Sequence, residues 1–375
     1  MLRVVPVLSL AGLTVLAVAP ASSSSASTVI TPSCATTTTT STTRPSTTTT
    51  VVASTTTSTP TATTSTTSTT STTVPATSTT TTVPATSTTT TAPKRHAFVW
   101  PLRGSAAIAI PELCVAAASP AQPIVPIASL TKMMTVWVIL HRLPLSYAQQ
   151  GPCRTVSAHD VALYHYDVIS GQSNARIVLD EHICEGTLLR GLLVHSAGDY
   201  SELLRSILGW SQSNFVRVMN RDAHSLGLTR THYVDLTGIA AGDRSTASDQ
   251  ASLAIDLMTN EPIVDQIVRL THVGLPYNGN VDTYTPLLGT NGVVGVKSGF
   301  TDPAGGCDVM AVQVTIGKVT FLTYAVVLGQ NGANPLAVAG ENALALSRAM
   351  RSFMVGTSSS AGTLIRWLGP TTAVR

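Results

Sequence analysis

The chain has 375 residues, a net charge of +3, 43% hydrophobic residues and only 11% charged ones. No basic run occurs, which argues against a nucleic-acid partner. Among the five cysteines there is no Cys-x-x-Cys, and no His-Glu-x-x-His is present, so the sequence offers neither a metal site nor a cofactor motif.

The first 26 residues read as a secretory signal. Arg3 gives a short basic start, and Val4 to Ala19 is apolar but shorter than a membrane span. An uncleaved membrane anchor is the alternative. Residues 27–93 are almost entirely Thr and Ser, with Pro75, Pro84 and Pro93 recurring nine apart. Such a stretch has no large side chains to bury and reads as a disordered stalk, either O-glycosylated or a plain spacer. At about 3.1 Å per residue a polyproline-like stalk of this length reaches on the order of 200 Å. The expected location is secreted and extracellular, with cell-wall or membrane-surface association. Residues 94–375 then form one large domain.

In chain order, Ala106 to Ala117 reads as a buried strand, followed by turns at Ser119-Pro120, Pro123 and Pro126. A helix opens around Ser129 and stops near Leu143-Pro144. Cys153 to Val156 and Ile177 to Leu179 are short strand candidates, and their pairing would bring Cys153 to Cys184. By elimination Cys114 and Cys307 would form a second bridge. Helices are expected over Thr187 to Val194, with a leucine stripe, over Ser201 to Gly209, and over Ser213 to Leu226, capped by Gly227. Thr246 and Asp249 suggest a capping box for a helix through Met258. Cys307 to Ile316, the Gly317-Lys318 turn and Val319 to Leu328 read as a hairpin of long strands, and Glu341 to Met354 as a closing helix. This order describes an α+β fold, an antiparallel sheet with helices packed on it, and not alternating βαβ units.

One pair of residues organises the domain. In Ser129-x-x-Lys132 the two side chains share one helical face. The apolar run behind Lys132 disfavours its charged form, which suits a base. Alone, the pair reads better as an N-cap serine and a snorkelling lysine. Two later stretches change that balance: Ser196-Ala197-Gly198 at the end of an apolar helix, and Lys297-Ser298-Gly299 at a strand start. The order Ser-x-x-Lys, Ser-x-Asn-like, Lys-Thr-Gly-like belongs to serine acyl-transferases acting on penicillin or peptidoglycan stems. No Gly-x-Ser-x-Gly elbow occurs, and the histidines His159, His165, His182 and His195 form no motif.

With the flanking stretches Ile127 to Lys132, Leu192 to Ala197, Phe215 to Asn220, Ser225 to Leu228, Ser245 to Asp249 and Gly295 to Thr301, the chain resembles the D-alanyl-D-alanine carboxypeptidases over roughly residues 105–350. These are the low-molecular-weight penicillin-binding proteins. The resemblance implies a β-lactamase/transpeptidase-like, five-stranded antiparallel sheet flanked by helices. It implies a peptidoglycan stem peptide as substrate and β-lactam antibiotics as inhibitors. By the same resemblance Ser129 is the nucleophile, Lys132 its base and Ser196 the proton relay. Lys297, Ser298, Gly299 and Phe300 bind substrate; Lys297 supplies positive potential and depresses the Lys132 pKa, and the N–H groups of Ser129 and Phe300 form an oxyanion hole. Where Gly198 stands, the family usually has asparagine, so restoring it in Gly198→Asn is expected to raise acylation. Asp199, one residue on, points elsewhere unless the loop is rebuilt. A D,D-endopeptidase, a β-lactamase-like hydrolase and a non-catalytic wall-binding protein are the alternative functions.

Overall fold

The computed structural model describes residues 98–358; the expected signal, the stalk and Cys34 lie outside the described residues. Two antiparallel strands, β1 (Ser105–Ile110) and β2 (Val115–Ala118), occur where the sequence suggests one. Pro111, which cannot donate to a ladder, opens a 3-10 turn, and Cys114 reverses the chain at φ 52°. The short β3 (Val125–Pro126) leads through a 3-10 turn at Ala128–Leu130 into α1 (Thr131–Leu140), whose ten residues are all buried.

Next come β4 (Cys153–Thr155) and α2 (Ala158–Ile169), a helix the sequence reading missed although Ser157 and Asp160 form a reciprocal capping box at its start. The strand expected at Ile177 to Leu179 is irregular chain instead. Side chains satisfy its backbone: Asp199 accepts from the Ala175 N–H at 3.1 Å, Asn278 from the Arg176 N–H at 2.8 Å and Glu181 from the Val178 N–H at 3.1 Å. The strand partner of β4 is β5 (His182–Cys184). Three helices follow: α3 (Glu185–Val194), α4 (Asp199–Ile207) and α5 (Gln212–Ser225). Then β6 (Arg244–Ser245), paired with β3, precedes α6 (Ala247–Asn260), capped by Thr246, and α7 (Pro262–Val268). A small hairpin of β7 (His272–Leu275) and β8 (Gly279–Asp282) leads to the long strands β9 (Val293–Thr301), β10 (Gly305–Ile316) and β11 (Val319–Gln330), and α8 (Pro335–Ser358) closes the domain.

The main sheet runs β2-β1-β11-β10-β9, antiparallel throughout. Its two faces bury alternate residues, as the strand period requires. Tyr324, Val326 and Leu328 pack with α1 and α3 to α7, while Ala325 and Val327 meet Leu344, Leu346 and Met350 of α8. The expected five-stranded α+β architecture is therefore present. β9 lies at the sheet edge, with one side free of a partner strand in the main sheet.

Cys153 and Cys184 stand opposite each other in β4 and β5 and are disulfide-bonded, as expected. The Cys114–Cys307 bridge is not formed. Cys307 is a buried free thiol, pushed up to about 12 by burial, and Cys114 is bonded elsewhere. Topology explains this: β11 lies between β1 and the Cys307 strand β10, and two strand spacings of about 4.8 Å exceed the reach of a disulfide.

Candidate active site

The site begins at a strained turn. Ala128 adopts φ 48°, a conformation that costs a β-carbon-bearing residue about 1 kcal/mol. Beneath it lies Gly238, where an added Cβ would fall 1.7 Å from the Ala128 carbonyl oxygen. The turn carrying Gly238 is fixed by Asp235, whose carboxylate accepts from the Thr237, Gly238 and Ala240 N–H groups at 2.6–2.7 Å. Thr135 of α1 donates to the Leu236 carbonyl at 2.7 Å. Upstream, Asn220 of α5 clamps Tyr233 through both its N–H and its carbonyl. The motif stretch around Asn220 thus helps to hold the shelf on which the Ser129 turn rests, and Ser245 pairs with Val125 of β3 just ahead of it.

Ser129 is half-buried, and Lys132, one turn on, is buried. The Lys132 amine donates to Ser129 Oγ at 3.0 Å and to Ser196 Oγ at 3.1 Å, so one nitrogen joins two hydroxyls from different segments. Ser196 follows the end of α3 at φ 59°, a position where glycine is usual. Its hydroxyl meets Lys132 because the chain turns sharply there before α4. Gly191 carries that corner: its carbonyl accepts from both the His195 and the Ala197 N–H, and Tyr200 of α4 packs against its bare Cα.

Burial lowers the Lys132 pKa to about 8, and the opposing charges of Asp235, Asp199 and Asp167 keep it from falling further. At pH 7 roughly a tenth is then free amine. Burial is the cause expected from the apolar run, while the expected contribution of Lys297 is found as a mutual repulsion between the two amines. Lys297 is itself held well below the lysine range, by burial first and by the Lys132 charge second. Two buried ammonium groups repel each other, and the one with three carboxylates in range keeps its proton longer.

The remaining residues of the expected site lie on β9. Lys297 donates to the Ser298 carbonyl at 2.9 Å, and the Ser298 hydroxyl donates to the Tyr284 carbonyl at 2.8 Å. While that bond holds, Ser298 has no proton to offer a carboxylate. Gly299 approaches the nucleophile's backbone so closely that an added Cβ would lie 2.6 Å from the Ser129 nitrogen. Phe300 is exposed beyond it at the strand end. The seven expected residues thus fall at one place, between the β9 edge and the 196–198 corner. His195 bonds the Asp282 carbonyl through Nδ1 and stacks on Tyr284, a structural role. Asp199 anchors Ala175, whose N–H donates to its carboxylate at 3.1 Å, and its charge also reaches Lys132.

Sequence reasoning missed Asp167, Asp235 and Gly238. The Ser157/Asp160 capping box could have exposed the helix carrying Asp167; nothing local marks Asp235 or Gly238.

A nucleophilic hydroxyl, a lysine of lowered pKa and a second hydroxyl within hydrogen-bond reach can perform acyl transfer. Comparison with known proteins places this arrangement. Among solved structures, the DD-transpeptidase of Streptomyces K15 shares the fold with a TM-score of 0.57 and 21% identity, over 70% of this chain and 100% of that one. A peptidoglycan synthesis regulatory factor (PBP3) of Streptococcus pneumoniae also has a TM-score of 0.57, at 23% identity over 67% of this chain and 70% of that one. Among curated proteins, the D-alanyl-D-alanine carboxypeptidase DacF of Bacillus subtilis (strain 168) is 29% identical over 189 residues, 48% of this chain and 46% of DacF. A D-alanyl-D-alanine endopeptidase of Pseudomonas aeruginosa is 27% identical over 207 residues, 53% of this chain and 63% of the relative. The chain thus spans about half the length of the curated relatives it matches. The family profile described as D-alanyl-D-alanine carboxypeptidase matches residues 114–331, more than half of the sequence. With the serine–lysine–serine geometry inside that matched region, the chain belongs to the D-alanyl-D-alanine carboxypeptidase family.

Proposed function

We propose that this protein is a serine-type D-alanyl-D-alanine carboxypeptidase that trims peptidoglycan stem peptides through an acyl-enzyme on Ser129. The observation that carries the reading is the single buried Lys132 amine held 3.0 Å from Ser129 Oγ and 3.1 Å from Ser196 Oγ. In the free-amine form, Lys132 takes the Ser129 proton as Oγ attacks the carbonyl between the two terminal D-alanines. The proton passes through Ser196 to the leaving amine, the C–N bond breaks and an ester remains on Ser129. Water then attacks the ester, Lys132 accepts its proton, and Ser129 Oγ leaves with a proton returned to it.

Local strain supports the assignment. Ser196 and Ala128 both hold left-handed backbone beside the reacting hydroxyl, and such outliers persist where the surroundings enforce them. Substrate would lie along the free edge of β9, with Gly299 leaving room beside the Ser129 N–H and Phe300 supplying the second oxyanion donor. Such donors typically lower an acyl-transfer barrier by about 3–4 kcal/mol. Lys297 and Ser298 face the substrate's terminal carboxylate in this reading, Ser298 after exchanging its bond to Tyr284. The reading extends to an exported enzyme carried on the Thr/Ser-rich stalk, acting at the cell wall and inhibited by β-lactams.

Incubating the purified full chain with fluorescent penicillin tests the acyl-enzyme. A covalent adduct mapped to Ser129 and lost in Ser129→Ala is expected. No adduct, or an undiminished one in the variant, would leave the non-catalytic wall-binding role. Rapid release of hydrolysed penicillin would favour a β-lactamase. The endopeptidase relative gives a second reading with the same chemistry, a D,D-endopeptidase. Preferential cleavage of cross-linked muropeptide dimers over linear pentapeptides would select it.

A further inference from the structure

Gly198 has ordinary helical backbone at φ −68° and ψ −41°, so conformation alone does not require glycine there. A Cβ built on it would lie 3.3 Å from the Ser173 carbonyl oxygen, 3.6 Å from Thr237 Cγ2 and 3.7 Å from Asp167 Oδ2. A carboxylate from α2 therefore borders the space into which a side chain at 198 would emerge. The backbone fixes this arrangement. Gly198 donates to the Ser173 carbonyl at 2.8 Å, and the Asp167 carbonyl accepts from the Gln172 N–H at 2.9 Å, tying the end of α2 to the 196–198 corner.

Asp167 occupies the last turn of α2, where a negative charge opposes the helix dipole, so the helix itself gains nothing from it. Three carboxylates act on Lys132: Asp235, Asp199 and Asp167. Two are committed. Asp235 holds its own turn through three N–H groups. Asp199 gives one oxygen to Ala175, and burial pushes its pKa up. Asp167 is half-buried and no hydrogen bond contributes to its titration; burial raises its pKa, the Lys132 charge lowers it and Glu202 raises it.

We propose that Asp167 is a positioning residue for Lys132, its carboxylate reaching from α2 to the edge of the space that a side chain at position 198 would enter. The proposal rests on the reading of Ser129 and Lys132 as nucleophile and base. A carboxylate can only accept, so it serves the ammonium form. When Lys132 takes the Ser129 proton, the new cation finds its counter-charge already in place, and no proton moves to Asp167. The other groups facing Lys132 are Ser129, Ser196, Asp199 of α4, Asp235 of the 235–240 turn and Lys297 of β9.

The test is the pH profile of acylation by fluorescent penicillin, measured on the full chain for wild type, Asp167→Asn, Gly198→Asn and the double variant. Asp167→Asn removes what favours the ammonium, so the acid limb moves to lower pH by roughly half a pH unit. In Gly198→Asn the new amide can donate to Asp167, so the two substitutions are non-additive by roughly twofold or more in rate. An unmoved acid limb, or rate effects that simply multiply, overturns the proposal. The Lys132 titration is also followed by NMR of 15Nζ-labelled lysine in a Ser129→Ala background, where no acylation occurs. There Asp167→Asn again lowers the midpoint; an unmoved midpoint overturns the proposal even where the wild type acylates. A clear shift in a protein that never acylates upholds the Asp167–Lys132 link and rejects only the functional reading.

Discussion

Lys132 is the residue on which the chemistry turns, because burial and charge act on it in opposite directions. Burial brings the amine to about 8, and the facing carboxylates stop it there. A base becomes active as it loses its proton, so acylation is expected to rise with pH through about 8 and level off above it. Second-order acylation rates between about pH 6 and 10 check this. A limb near 10.4, the ordinary value for lysine, would show that the amine is not desolvated during reaction. Ser129, Lys132 and Ser196 were legible in the sequence because each sits in a short motif whose spacing has a geometric meaning. Asp167 and Asp235 were not, since each reaches Lys132 only through tertiary packing. The balance between Lys132 and Lys297 was hidden for the same reason: a sequence shows that two lysines converge, but not which carboxylates lie beside each.

At the scale of elements, the corner between α3 and α4 decides where Ser196 points. A Cβ added at Gly191 would lie 2.5 Å from the Tyr200 ring and 3.3 Å from Leu275. Gly191→Ala therefore forces α3 and α4 apart. It is expected to cost about 1–3 kcal/mol, seen in chemical denaturation, and to slow acylation because Ser196 shifts from Lys132. Wild-type stability and rate would show that the corner has slack. The long β10–β11 hairpin and the leucine-striped α3 were legible from their periods of 2 and 3.6. The division of residues 105–118 into two strands was hidden inside one apolar run, where periodicity is silent and only Pro111 hints at the break. The irregular chain at Ile177 to Leu179 looked like a strand because its apolar residues say nothing about the side chains that take the N–H groups there.

For the whole molecule, the sheet buries one face under α8 and the other under α1 and α3 to α7, and its edge strand β9 runs past Ser129 with Phe300 exposed at its end. The antiparallel α+β class followed from element order, but the strand order β2-β1-β11-β10-β9 did not, because it depends on which edges meet across more than two hundred residues. That order is also what defeats the Cys114–Cys307 bridge. The Cys153–Cys184 bridge, in contrast, closes a loop of sequence separation 31 and pins β4 to β5 next to the start of α3. Replacing both cysteines by serine is expected to cost about 3 kcal/mol and lower the Tm by several degrees. An unchanged Tm would mean that β4 and β5 are held without it. The central claim, that Ser129 and Lys132 cleave the terminal D-alanine from a peptidoglycan stem, is tested most directly by D-alanine release from a synthetic pentapeptide ending in D-Ala-D-Ala. Multiple turnovers by the wild-type chain, lost in both Ser129→Ala and Lys132→Ala, are expected. No release by the wild type, or equal release by Ser129→Ala, would contradict it.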